Sequence, residues 1–473
     1  MKSFFKKAVK ISVISFILLG LILFLGVLIP KETYKQKEEQ VNNLLITHCN
    51  IVDVKRGKII PNRQVLVQNG KIISIDSIIS IIPKNTKKIS TMGQYLMPSL
   101  WDMHLHTLSL SPQLHFPLLI ANGVTGVRDM GDGDSWISDI EDVSVKDKNI
   151  WEKQSKEENL LIPKIIQSTS YHVEELEVIN KSNYKQKVAE LVAKLKVRGE
   201  PFVKVQLEEA ELPEYIFYEL QHQSKLKGIY ILGHLSPNLD VNEVIDNGFK
   251  SIEHAWALIP HLVKVKKELK KDIEQKSYDL NNQDTTLTKQ VLLKIANNDM
   301  YYVPTHVSSN RKEYLAFEAN YNKNPNNAYI ENVQLTLWKT LNWIHTKGYD
   351  KETDLPVLKS YYKRGLEITR LANKNGVKIL AGTDALDRNV YYGISLHDEL
   401  KEMVKAGLSN TEALKTATYN AAEYYGLNND YGSIEVGKKA DFILLKKNPL
   451  ENIANTQTIN AVYYNNQIGR AHV

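Results

Sequence analysis

Two histidines, His104 and His106, are separated by a single residue inside an apolar segment. Residues at i and i+2 share one face of a β-strand, so both imidazoles point at one spot while Leu105 points away. Three more potential metal ligands follow short apolar runs, namely His234, His254 and Asp384. Imidazole and carboxylate groups that converge suit zinc or a similar divalent ion. Any one of these residues could be a hydrogen-bonded core residue, but all five together favour a metal site.

Four further polar residues are harder to assign. Lys204 lies in the apolar run Phe202–Val205, where it is either an edge residue with its charge in water or a buried amine that acts as nucleophile or base. His172 and His306 follow predicted strands, and each either contacts substrate or makes a structural hydrogen bond. Arg128, followed by Asp129, is expected to form a structural ion pair with it.

Eight short apolar runs, each separated from the next by a helical pattern, would carry these residues. The runs are residues 99–106, 126–128, 164–166, 202–205, 229–232, 251–253, 301–304 and 377–380. Alternating strands and helices predict a parallel sheet, and eight units predict a (β/α)8 barrel. Such barrels place catalysis at the carboxyl ends of their strands, where the predicted ligands fall.

The two flanks of the chain read differently. Short strands with turns occupy residues 43–98, including a hairpin at Asn69-Gly70, and strands of similar character return at 441–445 and 459–463. We therefore expect residues 36–98 and 432–467 to form one composite β unit. Residues 99–431 are expected to form the barrel that carries the predicted metal ligands. Residues 468–473, Ile-Gly-Arg-Ala-His-Val, match a reading frame of a sequencing adapter, so we expect them to be artefactual.

The N-terminus carries a long apolar run. Lysines at 2, 6, 7 and 10 precede the uncharged segment Ile11–Ile29, and no small-residue cleavage site follows it. A membrane span needs about 17–25 residues. We expect residues 1–35 to form a signal anchor and linker, with a single N-terminal helix in the membrane and the catalytic domain extracytoplasmic.

Composition narrows the remaining classes. The chain has 473 residues, of which 43% are hydrophobic and 24% charged, and this is ordinary globular material. Its net charge of +6 is spread along the chain without a basic stripe, so nucleic-acid binding is not expected. The only cysteine, Cys49, lies in an apolar run and is expected to be a packed structural thiol.

Several motifs together resemble the amidohydrolase superfamily. The segment Pro98–His106, with Met103-His104-Leu105-His106 at its end, is similar to the first-strand motif of that superfamily. The remaining motifs follow in family order and are Phe202–Val205, Gly233-His234, Ile252–His254, Ala381–Ala385 and the returning segment Gly432–Phe442. The resemblance spans roughly residues 43–467 and is greatest to the imidazolonepropionase-like and prolidase-like branch. Ser99 departs from the usual glycine beside the first motif.

The resemblance implies a fold and a site. The expected fold is α/β, a (β/α)8 TIM-type barrel with a small β-sandwich built from both flanks and preceded by the N-terminal transmembrane helix. In two-metal members the first-strand histidines and the eighth-strand aspartate hold one ion, and the fifth- and sixth-strand histidines hold the other. Lys204 matches the lysine that is carboxylated by CO2 and bridges them. The implied cofactor is thus two Zn²⁺ held by His104, His106, Lys204, His234, His254 and Asp384.

The implied activity is metal-dependent hydrolysis of an amide-type C–N bond in a small-molecule substrate, a dipeptide, an N-acyl amino acid or a cyclic amide. A metal-activated hydroxide would attack, with Asp384 as catalytic general base and then acid. Lactone or ester hydrolysis on the same site stays open. A deaminase is disfavoured because Leu235-Ser236-Pro237 follows His234, without the acid that such enzymes carry. A membrane-tethered binding protein with a relic site is the alternative outside enzymes.

Overall fold

The computed structural model describes Gly20 and residues 39–131, 145–157, 162–169, 181–205 and 213–469. Its first strands lie in the N-terminal flank and are β1 (Glu39–Gln40), β2 (Asn43–Asp53), β3 (Lys58–Gln68), β4 (Lys71–Asp76), β5 (Lys87–Ser90) and β6 (Tyr95–Pro98). The hairpin between β3 and β4 turns at Asn69 and Gly70, which both have positive φ (48° and 71°). This is the conformation that a two-residue Asn-Gly turn adopts.

The middle of the chain alternates strands with helices. The strands are β7 (Leu100–Leu105), β8 (Val124–Asp129), β9 (Lys164–Ser168), β10 (Phe202–Val205), β11 (Tyr230–Gly233), β12 (Ser251–Glu253), β13 (Tyr301–Val303) and β14 (Lys378–Ile379). The helices among them are α1 (Ser111–Leu114), α2 (Phe116–Ala121), α3 (Val145–Glu157), α4 (Tyr184–Arg198), α5 (Glu214–Lys227), α6 (Val241–Asp246), α7 (Ala255–Leu258), α8 (Asp272–Asn281), α9 (Thr285–Asn297), α10 (Ser309–Leu315), α11 (Asn332–Gly348) and α12 (Asp354–Lys374). Each of the eight predicted strand segments overlaps one of these strands.

The C-terminal part returns to the first sheet. After α13 (Ile394–Ala406), α14 (Asn410–Thr416) and α15 (Tyr419–Tyr424), the chain forms β15 (Phe442–Leu445), β16 (Ile459–Tyr464) and β17 (Gln467–Gly469). Short 3-10 helices lie at Ile259–Leu262, Tyr321–Lys323, Pro325–Tyr329 and Ile453–Gln457. Residues 468 and 469, at the start of the C-terminal segment expected to be artefactual, lie in β17, and residues 470–473 lie outside the described part.

Strands from both flanks form one nine-stranded sheet in the order β1-β17-β16-β15-β6-β2-β3-β4, with β5 paired to β2. The flanks are joined by two antiparallel strand pairs, β15 with β6 and β1 with β17. Cys49 lies inside this sheet and is buried, and burial raises the pKa of its thiol to about 12. A thiol with that pKa stays protonated, which fits a packed structural role.

The parallel strands form sheets of three (β7-β8-β9) and five (β10 to β14) strands. The first and eighth strands meet, because the Met103 N–H donates to the Ala381 carbonyl at 2.9 Å and Leu105 bridges Ala385 in parallel. Two glycines allow neighbouring strands to approach closely near the predicted ligands. A Cβ on Gly233 would lie 2.2 Å from the Val205 carbonyl oxygen, and one on Gly382 would lie 2.6 Å from the Cβ of His104.

The predicted transmembrane anchor needs correction. Within the part of the chain that the structure describes, no helix is both long and apolar enough to cross a membrane. The longest described helix, α12 with 21 residues, carries Lys359, Arg364 and Glu367 on successive turns. Apart from Gly20, the predicted span from residue 11 to residue 29 lies outside the described residues. The structure therefore does not support the N-terminal transmembrane helix, and the membrane-anchored, extracytoplasmic localisation that rested on it is corrected with it.

Candidate metal centre

The histidines of β7 converge on one carboxylate. The Nε2 atoms of His104 and His106 lie 3.2 Å and 3.1 Å from Oδ1 of Asp384. These three side chains could hold a metal ion, since their ligand atoms all lie within 4.8 Å of one another. Ligands that share one tetrahedral ion at about 2.0–2.2 Å lie roughly 3.3–3.6 Å apart, close to the distances seen here.

The hydrogen bonds of the two Nδ1 atoms determine whether each Nε2 faces Asp384 with a hydrogen or with a lone pair. Nδ1 of His104 lies 2.7 Å from a carboxylate oxygen of Glu253, and Nδ1 of His106 lies 2.6 Å from the carbonyl oxygen of Gly131. Both partners can only accept, so each Nδ1 carries the hydrogen, and a neutral ring then presents a lone pair at Nε2. Two lone pairs and a carboxylate oxygen repel one another unless a cation lies among them. The side chains therefore fit a divalent ion.

The protonation of His106 supports this assignment. Burial first, and then the nearby Lys204, lower the pKa of His106 below its usual value, although Asp384 acts in the other direction. The ring is therefore neutral near pH 7 and has no hydrogen at Nε2 to donate to Asp384. Metal binding needs neutral imidazole, and this environment keeps it so without competition from a proton.

Asp384 itself is held in an unusual conformation. Its φ is 63°, in the left-handed region that non-glycine residues seldom adopt, and its backbone N–H donates to the His104 carbonyl. Its Oδ2 accepts a hydrogen bond from the Ser308 hydroxyl at 3.0 Å. With 17% of its side chain exposed against 0% for His104, Asp384 is the group that reaches solvent.

Asp102 fixes the strand end that carries Asp384. Its carboxylate accepts the backbone N–H groups of His104 and Thr383 and the hydroxyl of Thr383. One side chain thus joins β7 to the turn that follows β14. The positive φ of Asp384 is a strained conformation, which persists only where surrounding contacts hold it. Such strain is commonest at functional sites.

We call His104, His106 and Asp384 the polar half of the site; the other predicted ligands form a second group beside it. The ring centroids of His234 and His254 lie 4.6 Å apart, and that of His254 lies 4.7 Å from that of His104. Trp256 stacks on His254 at 5.4 Å with planes 7° apart and meets His234 edge-on at 4.8 Å. We call His234, His254 and Trp256 the aromatic half.

Lys204 lies between the two halves. Its side chain is buried, and its Nζ is 3.3 Å from Nε2 of His106. Lys204 pairs with Leu232 across the parallel ladder of β10 and β11, just before His234. The structure therefore places all six predicted ligands in, or shortly after, the parallel strands β7, β10, β11, β12 and β14.

The weaker substrate-contact candidates are not brought to this cluster. His172 lies outside the described residues. The ring of His306 is buried, and its Nε2 lies 2.9 Å from the hydroxyl of Thr369. Its backbone N–H and that of Val307 donate to Glu399. The contacts of His306 are those of a residue that fixes a loop.

The sequence matches one protein family over most of its length. The family is described as the amidohydrolase family, and the match covers residues 95–468. This chain belongs to the amidohydrolase family. The family assignment confirms the predicted resemblance and the prediction of an amidohydrolase-type hydrolase. At this coarse level the amidohydrolase is a metal-dependent amide hydrolase.

Solved structures resemble the amidohydrolase in fold. A protein from Bifidobacterium longum assigned as a prolidase has a TM-score of 0.64 at 20% identity, covering 91% of this chain and 95% of its own. A Xaa-Pro dipeptidase with bound methionine has a TM-score of 0.61 at 19% identity, with 90% and 100% covered. A bottromycin amidohydrolase has a TM-score of 0.68 at 17% identity, with 92% and 88% covered. No curated protein sequence matches the chain.

Sequence reasoning missed three residues of the amidohydrolase site. Glu253 bonds His104, Ser308 bonds Asp384, and Trp256 packs on both histidines of the aromatic half. Arg128 was expected to pair with Asp129, but it pairs with Glu253 at 2.7 Å, while Asp129 pairs with Lys148 at 2.8 Å. The sequence did contain a signal for the pair of Arg128 and Glu253. Each is an ionisable residue inside a short apolar segment, and a buried charge needs a partner.

Proposed function

We propose that this amidohydrolase cleaves an amide-type C–N bond in a small substrate at a divalent metal centre built on the polar half. The candidate substrates are a dipeptide, an N-acyl amino acid or a cyclic amide. The observation that carries the proposal is the convergence of two Nε2 atoms on Oδ1 of Asp384 at 3.1 Å and 3.2 Å, with both Nδ1 atoms occupied by acceptors. That arrangement is typical of metal-binding histidines.

A second ion is proposed at the aromatic half. His234 and His254 would hold it, and Lys204, carboxylated on Nζ, would bridge both positions. Carboxylation joins the neutral amine to CO2 with release of one proton, so that the neutral amine becomes an anionic two-oxygen ligand. The position of Nζ, 3.3 Å from the His106 Nε2 and one strand away from His234, supports this role.

Divalent ions bound by these residues would supply Lewis acidity for the activation of water and of the scissile carbonyl. Asp384 would take the proton of the attacking water, because its carboxylate lies beside both histidines of β7 and is partly open to solvent. Ser308 donates to Oδ2 and so keeps the carboxylate aimed in one direction. Asp384 returns the proton to the departing nitrogen, as general base and then acid.

A reconstitution assay tests the proposal. The metal-free protein is loaded with Zn²⁺, Co²⁺ or Mn²⁺ and supplied with dipeptides, N-acyl amino acids, cyclic amides and lactones. Xaa-Pro dipeptides come first, because two of the structural neighbours are a protein assigned as a prolidase and a Xaa-Pro dipeptidase. Metal-dependent release of a free amine supports amide hydrolysis. Metal-dependent turnover of lactones alone contradicts it, and bound metal without any turnover favours a binding role.

Intact mass separates the one-ion and two-ion arrangements. Protein loaded in bicarbonate and measured under native conditions should gain the mass of CO2 on Lys204 and bind two ions. The Lys204→Met variant should lose both the added mass and the second ion. Two bound ions with an unmodified Lys204 would refute the bridging role.

A further inference from the structure

A buried ion pair, Arg128 with Glu253, lies next to the polar half. Neither residue was predicted from the sequence to belong to the metal site. Glu253 is the last residue of β12, and Arg128 lies near the end of β8; both side chains have no exposed surface. The Arg128 guanidinium donates to the Met103 carbonyl, to the hydroxyls of Ser251 and Tyr424, and to Glu253. The pair therefore touches the strand that carries His104 at two points.

The two oxygens of Glu253 accept from different partners. Oε1 accepts from Arg128 at 2.7 Å and also from the Ser251 hydroxyl, whereas Oε2 accepts from Nδ1 of His104 at 2.7 Å. An arginine and a carboxylate that serve only each other usually form two parallel hydrogen bonds. Here one oxygen is reserved for the imidazole, so the carboxylate does more than neutralise the guanidinium. Without Arg128 the same carboxylate would be a buried unpaired charge, which is strongly destabilising.

We propose that Arg128 and Glu253 are positioning residues that orient His104 and strengthen its Nε2 as a metal ligand. This inference rests on the proposed metal site. A carboxylate that accepts the Nδ1 hydrogen increases the electron density of the ring, and removal of such a partner typically costs about 10- to 100-fold in metal affinity. His106 has only the neutral Gly131 carbonyl in the same place. The two histidines of one strand are thus unequal ligands, with His104 the stronger.

The test is the metal affinity of the full-length Glu253→Gln variant, measured by competition of zinc with a chromophoric chelator. We expect a loss of 10- to 100-fold, with the thermal midpoint of the metal-free protein recorded beside it. Glu402→Gln is the matched control, since Glu402 is a buried glutamate paired with an arginine, Arg311, at 3.3 Å. The control should keep the wild-type affinity.

A double variant separates positioning from charge neutralisation. If Glu253 served only to balance Arg128, Glu253→Gln/Arg128→Met would restore metal affinity, because no unpaired charge would remain. Positioning predicts that the double variant stays weak. Unchanged affinity in Glu253→Gln, or restored affinity in the double variant, would overturn the inference. Wild-type protein that binds no zinc would instead overturn the proposed function.

A measurement on the wild-type protein covers the case in which these variants do not fold. Protein labelled with ¹⁵N-histidine reports the Nδ1 protons of His104 and His106 by NMR. A proton shared with a carboxylate resonates further downfield than one donated to a carbonyl. We expect the His104 proton downfield of the His106 proton, and the reverse order would contradict the inference.

Discussion

The two halves of the candidate metal centre have different neighbours. In the polar half, His104, His106 and Asp384 each have a specific hydrogen-bond partner on a different strand or loop. In the aromatic half, the contacts of His254 are a hydrogen-bond-distance approach to Thr305, 2.6 Å from Nδ1, and the stacked ring of Trp256.

The halves differ in the ligands that each one offers. The polar half offers two imidazoles and a carboxylate, whereas the aromatic half offers two imidazoles packed against the indole of Trp256. Burial lowers the pKa of His254 well below its usual value, so that ring is also kept neutral and ready to bind metal. We expect the polar half to bind its ion more tightly and the aromatic half to lose its ion first.

The largest effect is expected when one ligand is removed from each half in turn. His106→Ala should lose tightly bound metal and all measurable turnover, because it takes away one of three converging ligands. His234→Ala should keep one ion per chain. Metal content after dialysis, measured by elemental analysis, checks both variants. Equal retention in the two variants would show that the halves do not differ.

Asp384→Asn should reduce turnover by about 10²- to 10⁴-fold, the usual contribution of a general base. The amide keeps an oxygen that can face an ion, so metal content should fall little. The comparison of kcat with zinc stoichiometry in this variant checks the role. An Asn variant with full activity would exclude Asp384 as the base.

Trp256→Leu should weaken the aromatic half alone. We expect the second ion to be lost at chelator concentrations that leave the first in place, with about a tenfold drop in turnover from a ligand misplaced by a fraction of an ångström. Trp338→Leu is the control, since Trp338 is buried in a separate cluster with Tyr391. Identical metal retention in both variants would argue against a role for Trp256.

Ser308→Ala removes one hydrogen bond from Oδ2 of Asp384. A hydrogen bond to a charged group contributes about 1.5–3 kcal/mol. Because solvent reaches Asp384 and can replace the hydroxyl, we expect the lower end of that range, roughly a tenfold fall in kcat with KM unchanged. A change in KM alone would place Ser308 in substrate binding.

The smallest effect on activity concerns Glu399, which holds the loop before Ser308. Burial raises the pKa of its carboxyl to about 8, against the hydrogen bonds from His306 and Val307. A carboxyl whose pKa is higher in the folded than in the unfolded chain stabilises the fold fully only below its unfolded pKa. Stability should therefore fall as pH rises from about 4.3 through about 8. Glu399→Gln should flatten that fall, and an unchanged pH profile of the thermal midpoint would contradict it.

Strand periodicity was enough to predict which side chains converge. The alternation at His104-Leu105-His106 and the position of Asp384 after an apolar run depend only on local sequence, and the structure brings these residues together. The partners of the ligands depend instead on which strands lie opposite one another. Glu253 and His104 are 149 positions apart in the sequence. A local sequence pattern therefore cannot predict their contact.

The same reason explains the Arg128 prediction. Adjacent residues on a strand point to opposite faces, so Arg128 and Asp129 could not pair while both lay in β8. The alternation that located the histidines would have excluded that pair if applied to β8. The conformations of Asp384 and His254, both with positive φ, come from tertiary contacts that sequence patterns do not carry.

Anomalous diffraction from crystals loaded with zinc would locate the ions in the amidohydrolase. We expect an ion about 2.0–2.2 Å from Nε2 of His104, Nε2 of His106 and a carboxylate oxygen of Asp384. A second, weaker peak should lie beside His234 and His254. Zinc bound elsewhere, with these three side chains joined only to one another, would refute the proposed metal site.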